Sequence, residues 1–318
     1  MKKKKIIITG SAGLVGLNLI SLINKSYSQL YNVIAIDQNK HNINLTKQIF
    51  PKITAITADV TKPGKWQNLF QNADCVIQLQ AQISHPKKNL YVKNNITSVK
   101  NVLTLCKKYK IPNLIHISSS VVISVANDNY TNTKRKGEEL VTKSKIPHTI
   151  LRPTLMYGCF DIKHLGFLTK VIDLSPIFPI PGSGKYIRQP VFVLDMCQGI
   201  INLIEREATN KIYNIVGKEK IYFIDLMKII AKEKKKKRLF IPIPTPIFLF
   251  LLKVHSLLTG KNPFISAQLA ALQNNDVFPE SDWNKELKVK PTKFQKSMKQ
   301  TVNSPYYKYR KQMKKFED

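Results

Sequence analysis

The chain has 318 residues, and 43% of them are apolar, which excludes wholesale disorder. Its 51 lysines and arginines against 20 aspartates and glutamates leave a formal net charge of +31. Such a charge attracts anions: phosphorylated metabolites, nucleic acid or an acidic membrane surface. A compositional bias that merely spreads lysines over the surface explains the charge equally well. The length is typical of two domains, or of one large α/β unit with an appended lobe.

Four cysteines lie far apart in the sequence without a CxxC pair: Cys75, Cys106, Cys159 and Cys197. This spacing favours a reduced, cytosolic protein over a disulfide scaffold or a zinc site. No metal is predicted, because the six histidines never show a ligand spacing. The apolar run at 6–8 is too short for a signal peptide. The longest apolar stretch, 239–258, is interrupted by three prolines and Lys253, so no membrane-spanning helix is predicted.

The first half of the chain alternates strand and helix patterns. Strand patterns lie at 6–8, 33–36, 53–57, 74–77 and 114–117, and helical patterns at 14–23, at 96–108 and from Tyr130 onwards. Such alternation predicts an α/β fold with a doubly wound parallel sheet of the Rossmann type, covered by helices on both faces. We expect a cofactor-binding domain over residues 1–158.

After Gly158 the chain has more prolines and fewer clean alternations. Helices are predicted at 195–206, 225–236, 246–258, 267–274 and 291–302, and a strand at 211–216. These patterns indicate a smaller C-terminal α+β lobe over 159–318, which binds substrate and returns some strands to the main sheet.

A glycine-rich turn at 9–16, with the sequence TGSAGLVG, lies directly between the first strand and the first helix. Glycines let the backbone approach a pyrophosphate, and the helix N-terminus offers free N–H groups to that anion. The predicted contacts in this turn are Gly10, Ala12, Gly13, Leu14, Val15 and Gly16. The context strengthens a motif that is weak alone, and it predicts a bound dinucleotide.

This prediction extends to three residues that end or follow the next two strands: Asp37, Asp59 and Val60. Asp37 ends the second strand, where a carboxylate accepts the ribose hydroxyls of NAD and repels the 2′-phosphate of NADP. NAD is therefore favoured over NADP, although Asp37 could serve only as a helix cap. Asp59 and Val60, after the third strand, are expected at the adenine edge.

A serine-tipped strand and a Tyr-x-x-x-Lys pair suggest a catalytic group. Ser118, Ser119 and Ser120 follow a strand, and the spacing of four places Tyr130 and Lys134 on one helix face. A phenol has a pKa near about 10, and a neighbouring ammonium stabilises its phenolate. A serine hydroxyl can then bond the substrate oxygen. The alternative is a packed tyrosine beside a solvated lysine.

With these motifs the sequence resembles the extended short-chain dehydrogenase/reductases, the NAD-dependent epimerase/dehydratases, over nearly its whole length. The supporting segments are TGSAGLVG at 9–16, VIQLQAQ at 76–82, Asn95 with NVL at 101–103, ISSS at 117–120, YTNTK at 130–134, LRPTLMYG at 151–158 and GSGKYIRQPVFVLD at 182–195.

The resemblance implies a role for several residues. Tyr130 would be the base, Lys134 its electrostatic partner and a ribose contact, and Ser119 the hydrogen-bond partner, with Ser120 as the near alternative. Ser119 and Ser120 would also contact the substrate, whose diphosphate Arg188 would hold. Further cofactor contacts implied by the resemblance are Leu79, Gln80, Ala81 and Asn95.

The sequence departs from the family pattern at several places. Ile123 and Ser124 replace a Tyr-Gly pair, and Leu155 replaces an asparagine that contacts the diphosphate in many members. Gln80 replaces a small residue near the cofactor, and the interval between Ser119 and Tyr130 is short, so a loop over the substrate is trimmed.

The resemblance implies an NAD-dependent sugar epimerase or dehydratase that acts through a transient keto sugar. Three features, the RPTLMYG segment at 152–158, the trimmed loop and the apolar segment at 242–261, resemble a subgroup of polyprenyl-diphosphate-linked N-acetylglucosamine 4-epimerases of surface-polysaccharide pathways. We therefore expect 4-epimerisation of a nucleotide- or lipid-diphosphate-linked hexosamine. For the apolar segment itself, an ordinary core helix of the substrate lobe is the favoured interpretation.

Two other functions stay open: a non-catalytic nucleotide-binding scaffold like the accessory subunit of respiratory complex I, and a 3β-hydroxysteroid-type dehydrogenase. The expected partner is a sugar diphosphate, and no specific nucleic acid is expected because no RNA or DNA motif is present. The expected location is cytoplasmic, and the charge and the apolar segment favour peripheral contact with an anionic membrane at its inner face. Relatives often pair through the helices beside the Tyr-x-x-x-Lys element, which implies a homodimer.

Overall fold

The computed structural model describes residues 2–83, 85–259, 277–279 and 281–314. The helix that the sequence predicts at 267–274 lies outside these residues. The strands are β1 Lys4–Thr9, β2 Tyr31–Asp37, β3 Thr54–Thr57, β4 Cys75–Gln78, β5 Leu114–Ile117, β6 His148–Pro153, β7 Met156–Tyr157, β8 Ile177–Pro181, β9 Ile187–Arg188, β10 Val191–Phe192, β11 Ile212–Ile215, β12 Ile221–Tyr222 and β13 Leu239–Ile243.

Helices alternate with these strands through most of the chain. They are α1 Leu14–Ser26, α2 Lys40–Ile49, α3 Lys88–Val92, α4 Ser98–Lys108, α5 Asn129–Thr142, α6 His164–Leu174, α7 Val193–Ile204, α8 Phe223–Glu233, α9 Thr245–Thr259, α10 Trp283–Glu286 and α11 Phe294–Asn303. Short 3₁₀ turns lie at Lys65–Phe70, Ser120–Ile123 and Tyr307–Gln312, and a π-helical segment at Lys93–Thr97 joins α3 to α4.

A seven-stranded parallel sheet forms the centre of the molecule, in the order β11-β6-β5-β4-β1-β2-β3. Strand β1, an inner strand of this sheet, is covered on both faces, since Ile6, Ile7 and Ile8 are all fully buried. Ile6 and Ile8 pack with α1 and α7, whereas Ile7 packs with α4 on the opposite face. The predicted α/β fold with a doubly wound parallel sheet is confirmed.

The sheet contains one strand from the second half of the chain. Strand β11 pairs with β6, with Ile212 opposite Ile150. Helix α7 likewise packs against α1 in the same core. The division of the chain into 1–158 and 159–318 stays a prediction.

Three small sheets and a separate core lie in the second half. The pairs are β10 with β7, β12 with β9, and β13 with β8. Phe178, Tyr186, Phe223 and Phe294 are among the buried residues of this core. None of the described helices is both long and apolar enough to cross a membrane. The four cysteines are buried and unpaired, as the sequence predicts.

The helix predicted at 96–108 is longer than the sequence indicates. Helical backbone runs without interruption from Lys88 to Lys108, and its middle turn, Lys93–Thr97, is π-helical. The apolar face of α4 was predictable because Val99, Val102 and Cys106 repeat at helical spacing, and all three are buried. The earlier part lacks such a face, so the pattern could not reveal it.

Candidate active site

The glycine-rich turn lies at the carboxyl edge of the sheet, where the strand order reverses between β1 and β4. Open α/β sheets bind ligands in the crevice at this point. Gly10 has a φ of 71°, and a Cβ there would lie 2.4 Å from the backbone nitrogen of Gln80. Glycine is therefore required at position 10, because any side chain would collide with the backbone that follows β4.

The N-terminus of α1 and its surroundings offer unused polar groups. Gly13 caps the helix and provides no side-chain bond to its first N–H groups. The Ser11 hydroxyl and the Gln80 Nε2 are buried without a hydrogen-bond partner in the described residues. The side-chain oxygen of Gln80, Oε1, accepts a hydrogen bond from the Thr9 hydroxyl over 2.6 Å. Orphaned groups around a helix N-terminus fit a bound pyrophosphate.

The Asp37 carboxylate faces the same turn from the end of β2. Its oxygens accept hydrogen bonds from the backbone N–H of Ala12 over 3.0 Å and of Asn39 over 2.9 Å. Burial raises the pKa of Asp37, and these N–H bonds oppose the rise. The helix α2 is capped by the side chain of Asn39, not by Asp37. Asp37 therefore stands beside Ala12, as a ribose ligand would.

Asp59, after β3, is tied to its neighbours. Its carboxylate accepts from the N–H and the hydroxyl of Thr61, over 2.9 and 2.6 Å, and pairs with the Lys93 ammonium at 3.1 Å. Burial opposes these bonds, but together they lower the pKa of Asp59. Val60 is buried, and its carbonyl accepts from Asn101 over 3.0 Å. Both predicted adenine-edge residues thus lie in an ordered loop.

The segment after β4, residues 79–81, lies next to the glycine-rich turn. Leu79 donates its N–H to the Thr9 carbonyl over 2.9 Å and packs against the core beneath α1. Ala81 is exposed. The Leu79–Ala81 stretch is therefore anchored at its start and open to solvent at its end.

Asn95, in the π-helical segment, holds the loop after β4 by hydrogen bonds. Asn95 accepts from the Gln82 N–H over 2.7 Å, donates to the Gln82 carbonyl over 3.1 Å, and donates to the Thr133 hydroxyl over 2.9 Å. It is fully buried. Asn95 thereby joins the cofactor-side loop to α5, which carries Tyr130.

Ser119 and Tyr130 meet after β5. The Ser119 side chain also caps the 3₁₀ turn at Ser120–Ile123 by accepting from the Val121 N–H. Burial raises the pKa of the Tyr130 phenol, the hydrogen bond with Ser119 lowers it, and Asp128 raises it again. Ser120 is buried at the start of that turn. The structure brings Ser119 to the phenol.

Lys134 is buried to 3% exposure, and its ammonium donates to the Ile117 carbonyl over 2.9 Å. Burial lowers its pKa from 10.5 to about 8, while Glu138 one turn later opposes the shift. Glu138 in turn binds the guanidinium of Arg152 through both carboxylate oxygens. The solvated lysine that the sequence left open is therefore wrong: Lys134 points inward, at the end of the strand that carries Ser119.

Sequence reasoning missed two residues that position this group. Arg135 donates from Nε to the Val122 carbonyl over 3.0 Å and also bonds the Ser124 carbonyl, so it clamps the turn after Ser119 onto α5. Gly137 lets α5 approach the π segment, because a Cβ there would lie 2.5 Å from the Asn95 carbonyl oxygen. An arginine next to Lys134 gave no signal within a basic sequence.

Arg188 lies on a different sheet from this group. It is buried on β9, which pairs with β12, and its guanidinium stacks 5.0 Å from the centroid of the Tyr186 ring. Its Nη1 donates to the Ile187 carbonyl over 2.8 Å. Leu155 is half-buried against the core of the second half, and its carbonyl accepts from the Val191 N–H. The structure places Ser119 beside the Tyr130 phenol and the Lys134 ammonium on the last carbonyl of β5, whereas Arg188 belongs to the second half.

Comparison with known proteins places this geometry in a family. An uncharacterised protein of Methanocaldococcus jannaschii is 25% identical over 284 residues, which cover 76% of this chain and 85% of that one. The mitochondrial NADH-ubiquinone oxidoreductase 40 kDa subunit of Neurospora crassa is 22% identical over 76% of this chain and 63% of its own.

Solved structures share the fold over nearly the whole chain. The UDP-glucuronic acid 4-epimerase of Bacillus cereus, crystallised with UDP-glucuronic acid and NAD, has a TM-score of 0.73 and 21% identity, with 97% of this chain and 99% of that one covered. The model of the NAD dependent epimerase/dehydratase family matches residues 6–216, more than half of the chain. The chain therefore belongs to the NAD dependent epimerase/dehydratase family, which confirms the resemblance read from its motifs, the expected type of enzyme and the expected cofactor.

Proposed function

We propose that this chain is an NAD-dependent 4-epimerase of an N-acetylhexosamine carried on a diphosphate, acting in surface-polysaccharide synthesis. Two observations support the proposal: Ser119 is a hydrogen-bond partner of the Tyr130 phenol, and the Lys134 ammonium is bonded to the Ile117 carbonyl at the carboxyl end of β5. The B. cereus protein supports it, because a 4-epimerase that binds a sugar nucleotide and NAD has the same fold.

The residues present fit NAD. The orphaned groups of Ser11 and Gln80 and the Asp37 carboxylate lie around the glycine-rich turn at the N-terminus of α1. When bound, NAD would supply the acceptor and later the donor of a hydride at the sugar carbon. We propose that Gly10, Ala12, Gly13, Leu14, Val15 and Gly16 hold its pyrophosphate, and that Asp37, Asp59, Val60, Leu79, Gln80, Ala81, Asn95 and Lys134 hold its two nucleoside halves.

The chain's own residues move the proton. Tyr130 Oη would accept the proton of the sugar hydroxyl, while Ser119 holds the same oxygen by a hydrogen bond. The Lys134 ammonium would stabilise the phenolate form of Tyr130 that accepts this proton, and burial would strengthen that stabilisation because the surroundings have a low dielectric constant. For the reverse step the same phenol returns its proton to the keto oxygen.

The substrate's diphosphate is assigned to Arg188, whose guanidinium has the fork geometry that oxyanions prefer. Ser119 and Ser120 would contact the sugar. Two carriers agree with this assignment, a nucleoside and a polyprenyl group. The departure at Leu155, which contributes an apolar side chain, favours the polyprenyl carrier, and with it a cytoplasmic enzyme at the inner face of the membrane. A homodimer stays a prediction.

A second candidate function is that of an NAD-binding scaffold subunit. It is favoured by the similarity to the N. crassa 40 kDa subunit of NADH-ubiquinone oxidoreductase. A scaffold needs the cofactor cleft but no proton acceptor. The bond between Ser119 and Tyr130 and the burial of Lys134 beside them favour the enzyme.

The experiment offers N-acetylglucosamine on UDP and on polyprenyl diphosphate to the full chain, with deuterium at C4. Products are read by mass spectrometry and sugar analysis. We expect N-acetylgalactosamine that retains the deuterium, because epimerisation through a ketone returns the hydride to its own carbon. Tyr130→Phe abolishes conversion, and Tyr222→Phe, a half-exposed tyrosine on β12, serves as the matched control.

Each other outcome has a defined meaning. A product lighter by one water would assign a dehydratase, and a net rise in free NADH would assign a dehydrogenase. Conversion that survives Tyr130→Phe would overturn the mechanism. No conversion on either carrier, with NAD bound at full occupancy, would favour the scaffold.

A further inference from the structure

Helix α9 is apolar and mostly exposed. Its sequence, TPIFLFLLKVHSLLT, has an apolar residue on every face, a composition that is normal for a helix buried in a core. Among its described side chains, however, Phe248 alone is buried. Phe250 is 64% exposed and Leu258 is 81% exposed. Water is therefore in contact with a helix surface that is suited to an apolar environment.

The strand before α9 continues this surface. In the β13–β8 pair, Leu239 lies opposite Ile177, and both side chains are exposed. Phe240 and Phe178, the next pair along, point the other way, and their ring centroids lie 5.8 Å apart. One face of this small sheet thus packs into the core, and the other presents aliphatic side chains to solvent.

A run of lysines borders the apolar surface. Lys232, Lys235, Lys236 and Lys237 are exposed immediately before β13, and none of them is ion-paired within the part of the chain that the structure describes. The run is anchored from within: the Lys234 ammonium lies 2.8 Å from Asp173, and Arg238 donates to the Ile172 carbonyl over 2.6 Å. The anchored residues belong to the protein interior, so the free ammonium groups project from its surface.

We propose that α9, the exposed face of β8 and β13, and the four exposed lysines, Lys232, Lys235, Lys236 and Lys237, form one surface that docks on a membrane rich in anionic lipid. A helix of 15 residues extends about 22 Å, short of the roughly 30 Å hydrocarbon core, so it would lie in the interface instead of spanning it. Anionic headgroups complement the lysines. A second copy of the chain would bring a second unpaired lysine run, and its charge would be repelled.

The docking surface is joined to the segment that leads to Arg188, the residue to which the diphosphate is assigned. The N–H of Gly182 donates to the carbonyl of Ile243, the last residue of β13, over 2.7 Å. The turn that starts at Gly182 leads directly to Arg188. Docking would therefore bring the Arg188 side of the molecule towards the lipid surface, where a lipid-carried diphosphate would be. This orientation rests on the proposed function, whereas the docking itself does not.

The test is co-sedimentation of the full chain with vesicles of phosphatidylcholine alone or mixed with phosphatidylglycerol. We expect binding to the mixed vesicles that weakens with salt. The triple variant Lys235→Gln, Lys236→Gln, Lys237→Gln should lose at least about tenfold in affinity. The control triple, Lys52→Gln, Lys62→Gln, Lys65→Gln, removes the same charge from exposed lysines around β3 and should bind as the wild type does.

A second pair of variants tests the apolar part. Phe250→Ser with Leu251→Ser should also weaken binding, and Leu30→Ser with Ile212→Ser, at exposed positions elsewhere, should not. Equal binding to both vesicle types, or equal loss in test and control variants, would overturn the proposal. Sedimentation velocity tests whether a second copy of the chain covers α9 instead. If the wild type is an oligomer, and the Phe250/Leu251 variant is a monomer that still binds vesicles, a second copy covers α9. Vesicle binding with no turnover would refute the proposed function alone.

Discussion

The Lys134 ammonium donates a hydrogen bond to the carbonyl oxygen of Ile117, 2.9 Å away, and so ties the helix of Tyr130 to the strand of Ser119. A charged group is thereby held inside the protein at the point where the proposed chemistry takes place. Such a placement lowers stability and serves catalysis, and the two effects can be measured separately.

Lys134→Met should stabilise the chain at pH 7 and abolish turnover. In the folded chain the pKa of Lys134 falls from 10.5 to about 8. Between these values the unfolded state binds more protons, so the unfolding free energy of the wild type rises with pH in this range. Below pH 8 the buried charge costs about 1–3 kcal/mol, which methionine removes. Thermal unfolding at pH 7 and pH 10 measures the stability difference between Lys134→Met and the wild type. This difference should be smaller at pH 10. A difference that grows with pH would contradict the lowered pKa of Lys134.

Ser119→Ala should lower kcat by about 10²-fold, because it removes the hydrogen bond to the reacting oxygen and to the Tyr130 phenol. Ser120→Ala is the matched control and should have a much smaller effect. Steady-state kinetics on the preferred sugar diphosphate measure both. A larger loss in the Ser120 variant would exchange the roles of the two serines.

Asp37→Asn should weaken NAD binding by about 10- to 100-fold and reduce the preference for NAD over NADP. The change keeps the size of the side chain but removes the negative charge that would hold the ribose hydroxyls and repel a 2′-phosphate. Calorimetric titration with each dinucleotide measures it. Asp225→Asn, at an exposed carboxylate paired with Lys228, should bind as the wild type does. Unchanged NAD affinity in the Asp37 variant would remove this residue from the cofactor site.

Arg135→Ala should lower kcat by about 10- to 100-fold with little change in KM or in NAD affinity. The side chain clamps the Val122 and Ser124 carbonyls onto α5, so its loss frees the turn that carries Ser119. Arg135→Lys should recover only part of the activity, because an ammonium lacks the planar fork. The exposed neighbour supplies the control, Lys136→Ala. A rise in KM alone would show that Arg135 acts on substrate binding.

Gly137→Ala should destabilise the chain by about 1–3 kcal/mol, because the added methyl would lie 2.5 Å from the Asn95 carbonyl oxygen. Gly199→Ala is the matched control on α7, where the nearest atom is the Leu287 side chain at 3.2 Å. Chemical denaturation of both variants compares them. Equal stability would mean that α5 can move away from the π segment freely.

Much of the fold and the cofactor cleft could be predicted, because their signals are local. The buried strand at 6–8, the glycine turn and Asp37 lie within one strand–helix–strand unit, so spacing alone relates them. Tyr130 and Lys134 share a helix face, and that too is a local relation. The family pattern supplied the choice of Ser119.

The rest depends on contacts that spacing does not encode. Arg135 binds carbonyl groups more than ten residues away, and any chain this rich in lysine and arginine hides such a residue. The pairing of β8 with β13 joins segments about sixty residues apart in sequence. The exposure of α9 was equally hidden, since an apolar helix pattern normally indicates a core helix.

The π-helical turn at Lys93–Thr97 sets the rotational phase of the helix before it. A π turn holds one residue more than an α turn, and successive α-helical residues are about 100° apart. If one residue were deleted there, α4 would keep its buried face and the preceding turn would rotate by about 100°. Tyr91, whose hydroxyl holds the backbone of His85, would swing away from it. The extra residue therefore rotates one part of the helix relative to the other. One end of the helix can then pack against the sheet while the other end contacts the loop beside the proposed cofactor site.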